Sequence, residues 1–125
     1  MHHPFDHLRA HRYVRLTTVR ASGEQVPTPV WFVLEDDAVY VQTGRQTGKA
    51  KRVRRNAQVL LAPCTPWGRP RGADIPATAA DLDAAVPAHV RTAFLRRYGP
   101  LQRLRDLSLR RRGVASTFLK ITATG

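Results

Sequence analysis

Three strand-like segments near the start of the chain are joined by connections too short for anything except hairpins. Residues 13–19, 25–34 and 38–43 are rich in β-branched and aromatic side chains. Turn-forming residues 21–24 and 35–37 lie between them, and the first of these turns contains a glycine. A parallel pair of strands needs a crossover of about a dozen residues or more, so the sheet is predicted to be antiparallel.

The second of these segments carries two prolines on the same side. Pro27 and Pro29 lie two residues apart, so their missing N–H groups face one direction. Such a strand is tolerated only at the edge of a sheet or where the hydrogen-bond ladder is interrupted. An interrupted ladder would also leave backbone groups free for a ligand.

Further segments add strands and one short helix. Residues 48–55 predict a helix, residues 58–63 a buried strand and residues 75–80 a weaker strand. Residues 64–72 contain two prolines and two glycines and predict a loop or wide hairpin. A closing strand is predicted for residues 116–122.

Two further segments are predicted to form or begin helices. Residues 3–12 predict one short helix in which Phe5 and Leu8 share a face. Residues 81–83 predict the entry to a second helical region, with Asp83 as its N-cap.

Residues 84–112 have helical periodicity, and Gly99-Pro100 divides them into two helices. One apolar stripe is expected from side chains three and four residues apart: Val90, Phe94, Tyr98, Leu101, Leu104 and Leu107. Eight arginines lie opposite: Arg91, Arg96, Arg97, Arg103, Arg105, Arg110, Arg111 and Arg112. They form either a solvated face or a set of cations near an acidic ligand.

These elements predict a mainly β (α+β) fold, a six-stranded antiparallel, closed or split β-barrel with short helices. We expect one domain over residues 1–125, with residues 84–112 as a helical insertion before the last strand.

The net charge of +12 over 125 residues implies an acidic partner. Nucleic acid, an anionic membrane surface and a polyanionic small molecule all fit. The single cysteine, Cys64, favours a packing role and a reducing, cytoplasmic location. No apolar run reaches the length of a membrane span, and we expect no membrane partner.

The basic segment that follows the third strand is the best candidate for a binding site. Thr43-Gly44 forms a turn, and Thr47 and Gly48 open the helix that carries Lys49, Lys51, Arg52, Arg54 and Arg55. Backbone N–H groups at a helix start, beside a hydroxyl and cations, suit a phosphate or carboxylate.

Residues for acid–base or metal chemistry are not evident in the sequence. The histidines near the N-terminus have no thiolate or ordered carboxylate beside them, so no metal site is predicted and catalytic residues stay unassigned. Trp31 is either a core or dimer contact or a wall against a planar ring.

Several stretches together resemble one family. They are residues 13–18 (YVRLTT), 27–33 (PTPVWFV), 47–56 (TGKAKRVRRN), 59–64 (VLLAPC) and 96–99 (RRYG). This combination is similar to the pyridoxamine 5′-phosphate oxidase-like split-barrel flavoproteins, in particular to the branch that uses the deazaflavin coenzyme F420. The resemblance implies the FMN-binding type of split barrel and a homodimer with two cofactors in clefts between the subunits.

The resemblance also implies roles for individual residues. Thr47 and Lys49 would bind the cofactor phosphate, with Lys51 and Arg52 along the phosphate or its extension. The ring system would be lined by Pro29, Val30 and Trp31, with Leu60 and Ala62 on the strand beneath it.

The implied activity is hydride transfer between F420 and a small-molecule substrate that the sequence does not identify. Gly48 departs from the oxidases, which have an arginine-lysine pair after their serine, and this argues against pyridoxamine phosphate as substrate. F420 carries a phosphodiester and a glutamate tail, so a strongly basic protein fits it better than FMN, which has one phosphate. The alternatives are an FMN-dependent oxidoreductase, a nucleic-acid-binding barrel without catalysis, and a protein that stores or carries the cofactor without turnover.

Overall fold

A single antiparallel sheet of seven strands forms the body of the protein, and its two end strands are consecutive in the chain. The computed structural model describes residues 5–83, 85–113 and 115–124. The strand order is β2-β1-β5-β6-β7-β4-β3. Because only Phe32 separates β2 from β3, the sheet has to curl until its two edges meet. The result is the curled half of a split barrel.

The elements follow in chain order. A 3₁₀ turn at Asp6–Leu8 precedes four strands, β1 (Tyr13–Val19), β2 (Gln25–Trp31), β3 (Val33–Glu35) and β4 (Ala38–Gly44). Then come α1 (Gly48–Arg55), β5 (Gln58–Cys64) and β6 (Ile75–Asp83). The chain closes with α2 (Ala88–Tyr98), α3 (Pro100–Arg111) and β7 (Ser116–Ala123). No helix in the described ranges is long and apolar enough to cross a membrane.

The prediction of six strands is wrong because the segment 25–34 is two strands. At Phe32 the backbone leaves the ladder and bonds to a side chain instead: its N–H donates to the Tyr98 hydroxyl at 2.9 Å. The hydroxyl oxygen of Tyr98 lies 2.8 Å from the carbonyl oxygen of Phe32 and 3.0 Å from that of Arg12, so its proton can be donated to either. The edge position expected from Pro27 and Pro29 is confirmed, since β2 pairs only with β1.

Two apolar layers hold the sheet. The inner face is filled by side chains from most strands, among them Val14, Leu16, Leu61, Leu119 and Ile121, and the segment before β1 adds Phe5 and Leu8. On the outer face, α2 packs Val90, Phe94 and Tyr98 against Val33, Tyr40 and Phe118. The prediction that Phe5 and Leu8 share a face is thus confirmed. They do so around a 3₁₀ turn, however, and not in a helix over residues 3–12. Residues 3 and 4 of that predicted helix lie outside the described residues.

The predicted helix entry at residues 81–83 is wrong, because these residues continue β6. Asp81 is held in the sheet by two partners, Arg54 at 2.6 Å and the hydroxyl of Thr117. The helix begins later, at Ala88, where Pro87 precedes its first turn. Asp83 therefore caps no helix.

The predicted apolar stripe is correct for α2 and wrong for α3. Val90, Phe94 and Tyr98 are buried, and the division at Gly99-Pro100 is confirmed. Gly99 has a φ of 54°, and the chain changes direction there. After this change α3 turns a different set of residues inward, namely Gln102, Arg105, Asp106 and Leu109, whereas Leu101, Leu104 and Leu107 are exposed.

The Tyr98 hydroxyl gives a test of how the sheet edges are held. We expect Tyr98→Phe to lower the free energy of unfolding by about 1–3 kcal/mol, because it leaves the buried Phe32 N–H without an acceptor. Urea denaturation measures the change. Tyr13→Phe is the matched control, since that hydroxyl bonds to no described residue; equal losses in both variants would contradict the assignment.

Candidate functional site

The turn between β4 and α1 is built on two threonine hydroxyls. The Thr47 hydroxyl donates to the Gly44 carbonyl at 2.9 Å and accepts the Ala50 N–H at 3.4 Å as the N-cap of α1. The Thr43 hydroxyl lies 3.1 Å from that of Thr47. Because the one proton of Thr47 is used, Thr43 is the donor in this pair. The hydroxyls thus fix the start of the basic helix to the end of β4.

Gly48 follows this cap and makes space for a neighbouring cation. A Cβ at Gly48 would lie 2.5 Å from Nη1 of Arg52. Arg52 folds back across the first turn and donates from Nε to the Thr18 hydroxyl at 2.6 Å. The Arg52 guanidinium thus occupies the space that a side chain at position 48 would enter, and a larger residue there would have to displace it.

Two adjoining pockets lie between α1, α3 and the barrel. The first, which we call the hydroxyl pocket, has a volume of about 500 Å³. Its walls combine hydroxyls and cations: Thr43, Gly44, Thr47, Lys49, Arg105, Ser108, Leu109 and Arg112. Such a lining suits the oxygen atoms of phosphates and carboxylates.

The second pocket, the tryptophan pocket, has a volume of about 300 Å³. It is lined by Tyr13, Pro29, Val30, Trp31, Gln42, Lys49 and Arg105. The Trp31 ring is fixed by stacking on Tyr98, with centroids 4.4 Å apart and planes 8° from parallel. A rigid aromatic wall of this kind suits a planar ring.

Lys49 and Arg105 line both pockets and so connect them. Arg105 donates from Nη2 to the Gln42 carbonyl at 2.9 Å, and its guanidinium lies 5.9 Å from the centre of the Trp31 ring. Lys49 forms no ion pair with any carboxylate in the described ranges. An anion placed between the two pockets would therefore meet a lysine whose charge is not neutralised.

The electrostatics of the site follow from burial and, for Lys49, also from neighbouring cations. Burial lowers the pKa of Lys49, and the nearby charges of Arg105 and Arg52 lower it further. Burial also lowers the pKa of Arg105, whereas the nearby Asp106 carboxylate raises it. A bound anion would favour the charged form of Lys49 and reverse the shift. The site is thus electrostatically strained until it holds an anion.

A buried amide network positions α3 over the barrel. Gln102 donates from Nε2 to Oε1 of Gln42 at 2.6 Å and to the Asp106 carboxylate at 3.0 Å. Arg105 lies on the same face of α3 and is thereby directed at the pockets. The sequence does not single out Arg105, Gln42 and Tyr13 as residues that line a pocket. For Arg105 the available signal is the helical spacing of Gln102, Arg105, Asp106 and Leu109, which competes with the spacing of the leucines in the same helix.

The predicted site residues separate into two groups. The structure brings together Thr43, Thr47 and Lys49 at one pocket and Pro29, Val30 and Trp31 at the other. Five residues line neither pocket: Gly48, Lys51 and Arg52 on α1, and Leu60 and Ala62 on β5. Their assignment to the cofactor stays a prediction.

Other parts of the structure are less suited to catalysis or ligand binding. The thiol of Cys64 is buried, and burial raises its pKa, which disfavours the thiolate. A cavity of about 510 Å³ lies between β3 and α2. Two of its arginines already have partners, Arg9 with Asp6 and Arg97 with the Tyr98 hydroxyl. Among the described residues, no cluster of histidine, cysteine and carboxylate side chains could hold a metal ion.

Comparison with known proteins identifies the family. The family model described as pyridoxamine 5′-phosphate oxidase matches residues 5–123, so the chain belongs to this family. No curated protein matches the sequence significantly.

Solved structures support the same fold. The heme storage protein HutZ of Vibrio cholerae superposes with a TM-score of 0.72 at 17% identity, over 100% of this chain and 92% of that one. A protein described as an F420 reductase superposes with a TM-score of 0.63 at 15% identity, over 100% of this chain and 97% of the other. At such low identities these similarities concern the fold alone.

The lowered pKa of Lys49 predicts an unusual pH dependence of stability. Between that pKa and the ordinary value of 10.5, the unfolded chain binds more protons at this lysine than the folded one does. The free energy of unfolding of the ligand-free protein should therefore receive a contribution from Lys49 that increases with pH in that interval. Thermal unfolding across this pH range measures it.

The contribution should be absent from Lys49→Gln and present in Lys51→Gln, an exposed lysine on the same helix. The same pH dependence in all three proteins would show that Lys49 is not its source.

Proposed function

We propose that this member of the pyridoxamine 5′-phosphate oxidase family is an F420-dependent oxidoreductase that acts on a small molecule. The observation that carries the proposal is the pair Lys49 and Arg105. Both are half-buried, both face the hydroxyl pocket and the tryptophan pocket, and Lys49 has no carboxylate partner in the described ranges. Cations in this position suit a ligand that combines a planar ring with a chain of negative charges.

Different residues would bind different parts of the cofactor. Lys49 and the backbone N–H groups at the start of α1, which the Thr43 and Thr47 hydroxyls position, would hold the phosphodiester. Arg112 lies on the wall of the same pocket. Trp31 and Pro29 would cover one side of the ring. When bound, the deazaflavin supplies the hydride chemistry, and the protein contributes binding, orientation and exclusion of water. This agrees with the lack of an evident acid–base pair in the described part of the chain.

The extent of the cationic wall favours F420 over FMN. FMN has one phosphate, which the cap of α1 and Lys49 would satisfy. The hydroxyl pocket extends beyond them to Arg105 on α3 and to Arg112, which follows the last residue of α3. Its volume of about 500 Å³ exceeds that of one phosphate. A glutamate tail would use these additional cations.

The positions of the aromatic side chains argue against a nucleic-acid-binding barrel. Binding of single strands needs aromatic rings on an accessible face for base stacking. Phe32, Phe94 and Phe118 are buried, and Trp31 is covered by Tyr98. Among the described aromatic residues only Trp67 is largely exposed, at 88%.

We also propose a homodimer in which the outer face of β2, β1 and β5 meets a second subunit. Pro29, Arg15 and Ala62 are adjacent in register on this face, and Leu60 lies two residues along β5. The Nε atom of Arg15 is buried without a hydrogen-bond partner among the described residues. A second subunit would bring Leu60 into the site, where the resemblance implies that it lies, whereas Ala62 is already fully buried in the single chain.

Ligand titration tests the proposed function. Oxidised F420 should bind with a stoichiometry near one per subunit, and FMN should bind much more weakly. Arg105→Ala should weaken F420 binding by about 10- to 100-fold, because a charge-assisted contact is lost. Arg110→Ala, an exposed arginine of the same helix, is the matched control. Tight binding of FMN, or no effect of Arg105→Ala, would contradict the proposal.

Sedimentation velocity tests the dimer separately. The wild-type chain should sediment as a dimer, and Leu60→Glu should shift it toward a monomer by placing a charge in the proposed interface. Leu95→Glu, which adds the same charge to an exposed position on α2, should leave the dimer intact. A monomeric wild-type protein at micromolar concentration would overturn this part of the proposal.

A further inference from the structure

Helix α3 is amphipathic, but its polar side chains face the barrel and most of its leucines face solvent. Its inward face carries Gln102, Arg105 and Asp106, with Leu109 as the one apolar member. Its leucines point away from the barrel: Leu101 is 53% exposed, Leu104 62% and Leu107 46%. An apolar helix face in water normally indicates something that covers it. The inward face is explained by the amide network and the pockets, but the outward face has no partner among the described residues.

The exposed leucines alternate with exposed arginines. At 100° per residue, Leu104 and Leu107 flank Arg111, and Arg103 and Arg110 lie beside them on the next part of the surface. The single carboxylate of the helix, Asp106, faces inward and accepts from Gln102 at 3.0 Å. The outward face of α3 is therefore both apolar and purely cationic.

This combination restricts what can cover the face. A nucleic acid would engage the arginines but would gain little from the leucines. A second copy of the same face would bring arginines against arginines, with no carboxylate on the outward side to offset them. The face is also convex, so it offers no groove to a peptide. An anionic lipid surface satisfies all three features, because it is flat, negatively charged and apolar beneath its headgroups.

We infer that the outward face of α3 docks on an anionic membrane surface, with Leu104 and Leu107 in the headgroup boundary and Arg103, Arg110 and Arg111 among the phosphates. This differs from the sequence-based expectation of no membrane partner. That expectation rested on the lack of a spanning segment, which such docking does not require. Since Arg105 enters the pockets from the opposite face of the same helix, docking would bring the pockets within about one helix diameter, about 10 Å, of the headgroups.

Vesicle co-sedimentation of the full chain tests the inference. The wild-type protein should bind vesicles of phosphatidylcholine with phosphatidylglycerol and should not bind phosphatidylcholine alone. The double variant Leu104→Gln/Leu107→Gln, which keeps every charge, should bind the anionic vesicles at least about tenfold more weakly. Trp67→Gln, which removes an exposed apolar side chain outside α3, should bind as the wild type does. Thermal unfolding confirms that each variant is folded.

Three results would overturn the inference. Equal vesicle binding by the leucine variant and the wild type would show that the net charge alone is responsible. Lack of binding to anionic vesicles would remove the proposed partner. A change from dimer to monomer in the leucine variant would show that a second copy covers the face. None of these results bears on F420 binding, which is measured without lipid.

Discussion

The hydroxyl of Tyr98 holds together the two edges of the sheet, and much of the molecule depends on that contact. The chain passes from β2 to β3 through one residue, Phe32, whose backbone bonds to Tyr98 in place of a neighbouring strand. The same ring stacks on Trp31, which lines the tryptophan pocket. Because Tyr98 is also the last residue of α2, it determines where the chain turns at Gly99 and where α3 begins.

The arrangement of cations at the site reduces the stability of the ligand-free protein. Helices α1 and α3 bring Lys49 and Arg105 together without an intervening carboxylate, and the pKa of each is lowered from its ordinary value. Groups arranged for a ligand in this way commonly reduce the stability of the empty protein. The amide network of Gln42 and Gln102 keeps the arrangement in place. An anion would relieve the repulsion, which is the physical reason for assigning the pocket to a polyanionic ligand.

Local patterns in the sequence predicted most elements, whereas contacts between distant residues decided the parts that were wrong. Hairpin lengths, the edge prolines and the Thr47 cap were sufficient for β1, α1 and the antiparallel sheet. The break at Phe32 depends on a hydroxyl 66 residues away. The leucines of α3 continued the periodicity of α2, but the positive φ of Gly99 separates the two helices in orientation. For the same reason the sequence does not separate Arg105, which faces the pockets, from the other arginines of residues 91–112.

The central claim is that an anionic cofactor lies between α1 and α3 and against Trp31. A crystal structure of the protein with oxidised F420 tests it most directly. We predict the phosphodiester within hydrogen-bond distance of Lys49 Nζ and of the backbone N–H groups at the start of α1, the tail near Arg105 and Arg112, and the deazaflavin ring beside Trp31. A cofactor bound elsewhere, such as in the cavity between β3 and α2, would contradict the account.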